Sequence, residues 1–181
     1  MELLLQRIAR ATFLTVAVAR GRAMGAGADI FAACRLRLVD GDASFAFPGA
    51  SGFGLVLGTR RLAALVGTST ALDWVQKAHV VSAQEAQRAG LISDAITSEE
   101  GLAEVINRSL HLPAHMTAAL RAAIEPESQM NDAKDLESLV RSAAHPGLRD
   151  RILAYQPGNL PHASPRLMVQ RTIAARKVVS K

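Results

Sequence analysis

Apolar side chains recur at helical spacing from the first residues. Leu4, Leu5, Ile8 and Ala11 share one face of a segment from Glu2 to Ala11, which predicts a helix. The periodicity then changes. Phe13-Leu-Thr-Val-Ala-Val-Ala19 is almost unbroken apolar sequence, the pattern of a strand buried on both faces of a largely parallel sheet. A glycine-rich turn through Gly21, Gly25 and Gly27 follows, and a short helix starts near Ala28 and reaches Cys34. Arg35 to Asp40 partly alternates and predicts a strand. Gly41-Asp42 is a turn signal, and Ser44-Phe-Ala-Phe47 predicts a second short strand stopped by Pro48.

Further along, a glycine-rich segment from Gly49 to Gly58 leads into a helix carrying Arg60, Arg61, Leu62, Leu65 and Val66, which Gly67 terminates. Ser69 is placed as the cap of a helix over 70–77. Ser82-Ala-Gln-Glu85 has the spacing of a capping box, in which the serine hydroxyl satisfies a helix N–H and the glutamate reaches back. That helix ends at Gly90, and 91–96 predicts a strand. The second half differs in texture. Segments 99–110, 113–124, 132–144 and 146–155 read as helices with polar breaks between them, notably Pro126-Glu-Ser-Gln. Residues 160–165 read as a loop and 167–179 as a terminal basic helix or tail.

Composition narrows the class. The chain has 181 residues, 49% of them apolar, enough for one domain with a real core and too apolar for a disordered chain. The net charge of +5 and pI near 10.1 raise nucleic acid or an anionic ligand as partners. With 5 Phe, 1 Trp and 1 Tyr there is little to stack bases on, so no nucleic-acid partner is expected. The positive residues are scattered except at Arg166, Arg171, Arg176, Lys177 and Lys181, which form either a solvated end or a phosphate contact. A lone Cys34 excludes a disulfide framework, and no apolar run approaches the ~20 residues of a membrane span, so a soluble, cytoplasmic domain is expected. Arg7, Arg10, Arg20 and Arg22, with Glu2 as their one acidic neighbour, faintly resemble a transit peptide. The helix running straight into a strand argues instead for no cleavable leader.

Strand, glycine turn and helix in succession present backbone N–H groups to an anion. A dinucleotide fingerprint fails at Ile30 and lacks a following ribose-binding acid, while a purely structural turn stays open. His111 and His115 have a metal-capable spacing, but Pro113 between them marks a helix start and no glutamate accompanies them, so no metal site is expected. Gly49-Ala-Ser51-Gly52 lacks the spacing of a hydrolase elbow. Asp73 between Leu72 and Trp74 reads as an ordinary helix face, and Cys34 as a small buried residue.

Taken in order, the strand, Gly21-x-x-x-Gly25-x-Gly27, Ala28-Asp-Ile-x-x-Ala-Cys34, Phe45-x-Phe47-Pro48, Gly58-Thr-Arg-Arg-Leu62, Val66-Gly67, Ser82-Ala-Gln-Glu-Ala86 and Ala89-Gly90-Leu91-Ile92 form a set. That set resembles the crotonase superfamily, the enoyl-CoA hydratases and isomerases, over roughly residues 3–96. The resemblance implies an α/β fold, a crotonase-like ββα spiral shortened at its N-terminus, with core 1–98. It implies a helical C-terminal region, 99–181, that covers the core and mediates homo-oligomers, trimers or hexamers.

The chemistry implied is the binding of an acyl-CoA thioester, with coenzyme A entering as part of the substrate and no bound cofactor. Two backbone N–H donors stabilise the thioester enolate. By the resemblance Ala26 supplies one. The other comes from an earlier loop with no counterpart before Leu3, so either the true start lies upstream or this is a shortened relative. Asp29 stands where the family's first catalytic glutamate stands, as general base or proton shuttle; first-turn capping is its bland alternative. Gly49 stands where hydratases carry their second glutamate, which makes ordinary hydration doubtful. Met24, Gly25, Gly27, Pro48, Gly49 and Phe53 are the implied substrate-binding set, and Arg60 and Arg61 are read as structural. The alternatives are a non-catalytic CoA- or partner-binding subunit, or another thioester reaction such as hydrolysis or decarboxylation.

Overall fold

The computed structural model describes residues 1–124 and 128–154. Its elements in order are α1 (Glu2–Ala9), β1 (Val16–Met24), α2 (Ala26–Ala33), β2 (Leu36–Ala46), α3 (Gly49–Phe53), α4 (Thr59–Val66), α5 (Thr68–Lys77), β3 (Val81–Ser82), α6 (Ala83–Arg88), β4 (Asp94–Ile96), α7 (Glu99–Ser109), α8 (Ala114–Ile124), α9 (Ser128–Ala143) and α10 (Leu148–Ala154). The helices expected in the second half are in place. The loop and basic tail expected over 160–179 lie outside the described residues.

β2 organises the sheet. It pairs in parallel with β1 on one side, and on the other with β4 (parallel) and then β3 (antiparallel). Gly41-Asp42 is a bulge inside one continuous strand, not a turn between two. The pairing jumps from Ala19↔Val39 to Gly21↔Ala43. Gly21 and Gly41 both take φ near +67°, a conformation open to glycine, and so absorb the extra residues without ending the strand. Arg20 and Asp40 close the bulge at 2.6 Å.

β1 starts later than expected and runs through Gly21 to Met24, and it is not buried on both faces: Val18 is 40% exposed and Phe13, ahead of it, 70%. β1 is the sheet's edge strand among the described residues. The strand buried on both faces is β2. Val39, Ala43 and Phe45 join α2, α4, α5 and α6 in the main core, where Phe31 and Phe45 pack with centroids 4.8 Å apart. Leu36 and Leu38 join Ile96 and Val105 in a second cluster under α7. Each fully buried side chain of this size contributes about 2–3 kcal/mol.

Of the two expected serine caps, one is in place. Ser82 caps α6 as expected, accepting from the Glu85 N–H at 3.2 Å. Ser69 does not cap α5; that helix begins at Thr68 behind Gly67, whose φ of +82° turns the chain directly from one helix into the next. Among the described residues no helix is long and apolar enough to cross a membrane.

Candidate active site

Parallel strands leave their carboxyl ends on one edge of the sheet, where the following helices begin. β1 ends at Met24 beside Ala46 of β2, so the turns after both strands meet there. Gly25 takes φ +53° and ψ −121° and donates to the Ala46 carbonyl at 2.9 Å. A Cβ built on it would sit 3.9 Å from Pro48, so the two turns pack together. Ala26 then opens α2, exposed and with no side chain capping the helix, so no side chain of a cap occupies its first-turn N–H groups. Gly49 opens α3 in the same way after Pro48. The fold therefore gathers Met24, Gly25, Ala26, Pro48 and Gly49 at one edge. Phe53 is half-buried at the far end of α3, and Gly27 faces open solvent.

Asp29 lies three residues after Ala26, on the same face of α2. Its N–H is held by the Gly25 carbonyl at 2.9 Å. The carboxylate presses against Gly58: a Cβ there would lie 2.7 Å from Oδ1. Gly58 has φ +66° and precedes α4, so both conformation and space require glycine. Asp29's carboxyl is pushed up to about 7, mainly by burial and secondarily by the negative charge of Glu2, against an opposing pull from Arg61. A carboxyl poised near neutrality can both take and return a proton.

Glu2 and Arg61 were not legible as neighbours of this site. Glu2 is 1% exposed, and Arg61 donates to it at 2.5 Å and 3.3 Å. Arg60 forms a fork on Asp135, with bonds of 2.8, 3.0 and 3.1 Å. These pairs bind α1, α4 and α9 together, which supports the structural reading of both arginines. Gly49 has its own constraint, since a Cβ would meet the Leu55 carbonyl at 3.3 Å. Arg151 of α10 was also missed. It donates to the Phe53 carbonyl at 2.8 Å and to the Pro146 carbonyl at 2.9 Å, fastening α10 to the end of α3. One of two arginines in a charged helix, Arg149 and Arg151, gives no such signal.

The remaining candidates lie elsewhere. Asp73 pairs with Lys77 on α5. His111 contacts the Arg108 carbonyl at 2.7 Å, and His115 is exposed in the first turn of α8. Among the described residues no three His, Cys, Asp or Glu side chains group to hold a metal. Cys34 is buried at the end of α2 with its thiol pushed up by burial.

Residues 1–145 match the family model for enoyl-CoA hydratase/isomerase. The 2,3-dehydroadipyl-CoA hydratase of Escherichia coli (strain K12) is 32% identical over 111 residues, 60% of this chain and 43% of that protein. The crotonyl-CoA hydratase of Syntrophomonas wolfei is 36% identical over 95 residues, 50% of this chain and 35% of that protein. The ethylmalonyl-CoA decarboxylase of Danio rerio is 30% identical over 114 residues, 61% and 37% of the respective chains. The chain thus spans less than half the length of these curated relatives. A solved structure from Bordetella parapertussis bearing an enoyl-CoA hydratase/isomerase designation superposes with TM-score 0.75 at 39% identity, covering 86% of this chain and 66% of that one.

Proposed function

The chain belongs to the enoyl-CoA hydratase/isomerase family, and we propose that it acts on an acyl-CoA thioester through an enolate held at the start of α2. The observation that carries this reading is Asp29, poised near neutrality one helical turn beyond Ala26, the exposed first residue of an uncapped helix. The thioester oxygen would accept from Ala26, where the helix dipole adds to the attraction. Asp29 would take the proton from the carbon beside the thioester, or return one there. Pro48, Gly49 and Met24 would line the acyl group's approach, with Gly25 and Gly27 keeping the backbone accessible and Phe53 closing the far end.

Gly49 decides between reactions. Hydration needs water held by paired carboxylates, and among the described residues this edge carries one, Asp29. Decarboxylation needs less: the carbon–carbon bond breaks, carbon dioxide leaves, the electron pair forms the enolate, and one acid returns a proton to carbon. The match to an ethylmalonyl-CoA decarboxylase makes that the second reading. A panel of enoyl-, malonyl- and saturated acyl-CoA thioesters, followed by mass spectrometry, tests both. Turnover of at least one thioester is expected, falling about 100-fold or more in Asp29→Asn. Gly49→Glu should raise hydration of an enoyl thioester above the wild-type level. No turnover of any thioester, together with unchanged CoA binding, would favour a non-catalytic binding subunit.

Self-association through the C-terminal helices belongs to the same proposal. Met116, Leu120 and Ile124 repeat every four residues on α8, and they are 45%, 47% and 77% exposed.

A further inference from the structure

A cavity of about 500 Å³ opens at the end of α2 remote from the Gly25 turn, roughly 12 Å away along an eight-residue helix. Its walls come from that helix end, the start of β2, α4, α8 and α9. Among the described residues six arginines line it, Arg10, Arg35, Arg37, Arg60, Arg61 and Arg121, against one acid, Asp132. Behind the wall Glu2 and Asp135 face Arg61 and Arg60, and Asp132 faces Arg10. Three carboxylates therefore meet three guanidiniums.

The other arginines are held by backbone carbonyls. Arg37 donates to Leu91 at 2.7 Å and to Cys34 at 2.9 Å. Arg121 donates to Ala9 at 2.5 Å and to Ala11 at 3.2 Å. Arg35 reaches Ala11 at 3.0 Å. Carbonyls fix the direction of a guanidinium but leave its charge uncompensated, and no carboxylate pairs with Arg37 or Arg121 among the described residues. Arg10 keeps a buried Nη2 that finds no acceptor. Burial also pulls the Arg37 guanidinium below its usual value, the response of a cation lacking a counter-charge.

We propose that this cavity binds a phosphate-type oxyanion, for which diphosphate is the probe, with Arg37, Arg121 and Arg10 as its donors. Rigid guanidinium forks suit the bidentate geometry of phosphate oxygens. The site is separate from the Ala26 edge and stands whether or not the enolate reading holds.

Isothermal titration of the 181-residue chain with sodium pyrophosphate, at constant ionic strength against sodium chloride, tests it. Saturable binding is expected, weakened about tenfold or more in Arg121→Gln and in Arg37→Gln. Arg20→Gln, which removes an exposed guanidinium from the bulge on β1, should bind as the wild type does. Arg37 also supports the Leu91 and Cys34 carbonyls, so if Arg37→Gln does not fold, Arg121→Gln carries the comparison. A second titration in saturating coenzyme A identifies the source: lost pyrophosphate binding points to the carrier's own diphosphate, and retained binding to a separate anion. No saturable binding at millimolar pyrophosphate, or equal affinity in Arg121→Gln and wild type, overturns the proposal.

Discussion

Asp29 concentrates the chemistry of the candidate site in one side chain. Its folded carboxyl titrates near 7, against 3.8 for an unperturbed aspartate. The folded state therefore keeps a proton between about pH 4 and 7 that the unfolded chain has released. The stability this contributes is full below pH 4 and is lost as the pH rises through 7. Asp29→Asn should match the wild type near pH 4 and exceed it by on the order of 1 kcal/mol at pH 8, a figure reduced for solvent screening of a half-buried group. Chemical denaturation at the two pH values checks this, and a constant difference between the proteins would contradict it. The position of Asp29 was legible because the glycine turn and a following acid are adjacent in sequence. Its environment was not. Glu2 and Arg61 reach it from elements 27 residues before and 32 residues after, and nothing local marks Gly58 as the surface its carboxylate rests on.

At the scale of elements, sequence reasoning succeeded where a local rule set the structure and failed where pairing did. Ser82 satisfies Glu85 through a bond inside four residues, and the spacing shows it. Ser69 follows the same composition rule, yet Gly67 had already turned the chain into α5. Replacing Ser82 by Ala should cost about 1 kcal/mol in thermal or chemical unfolding, and replacing Ser69 by Ala should cost close to nothing. Equal costs would contradict the assigned helix starts. Gly41-Asp42 carries the composition of a turn, and only the continued ladder with Gly21 to Met24 makes it a bulge. The apolar run at 13–19 misled for a related reason. Hydrophobic density reports a preference for burial, while the depth reached depends on which neighbours the strand finds, and β2 found more than β1.

For the whole molecule, the ordered motifs across the first half made the fold recognisable, and the helical second half was legible only as helices. How those helices dock is written in long-range contacts: Arg151 to Phe53, Arg60 to Asp135 and Arg121 to the end of α1. The exposed apolar row on α8 should make the protein self-associate. Light scattering on the wild type should give a multiple of the 19.2 kDa chain, and Met116→Glu with Leu120→Glu should lower it. A monomeric wild type would contradict this assignment.

Hydration and decarboxylation at the Ala26 edge both pass through one species, the thioester enolate, so its formation can be measured without knowing which of them follows. The chain is incubated with butyryl-CoA in deuterated buffer, and deuterium uptake beside the thioester is followed by mass spectrometry. An enolate held at Ala26 predicts uptake above the buffer rate, rising with pH through about 7 as Asp29 ionises, and falling about 100-fold or more in Asp29→Asn. Uptake at the buffer rate, or uptake undiminished in Asp29→Asn, would contradict it.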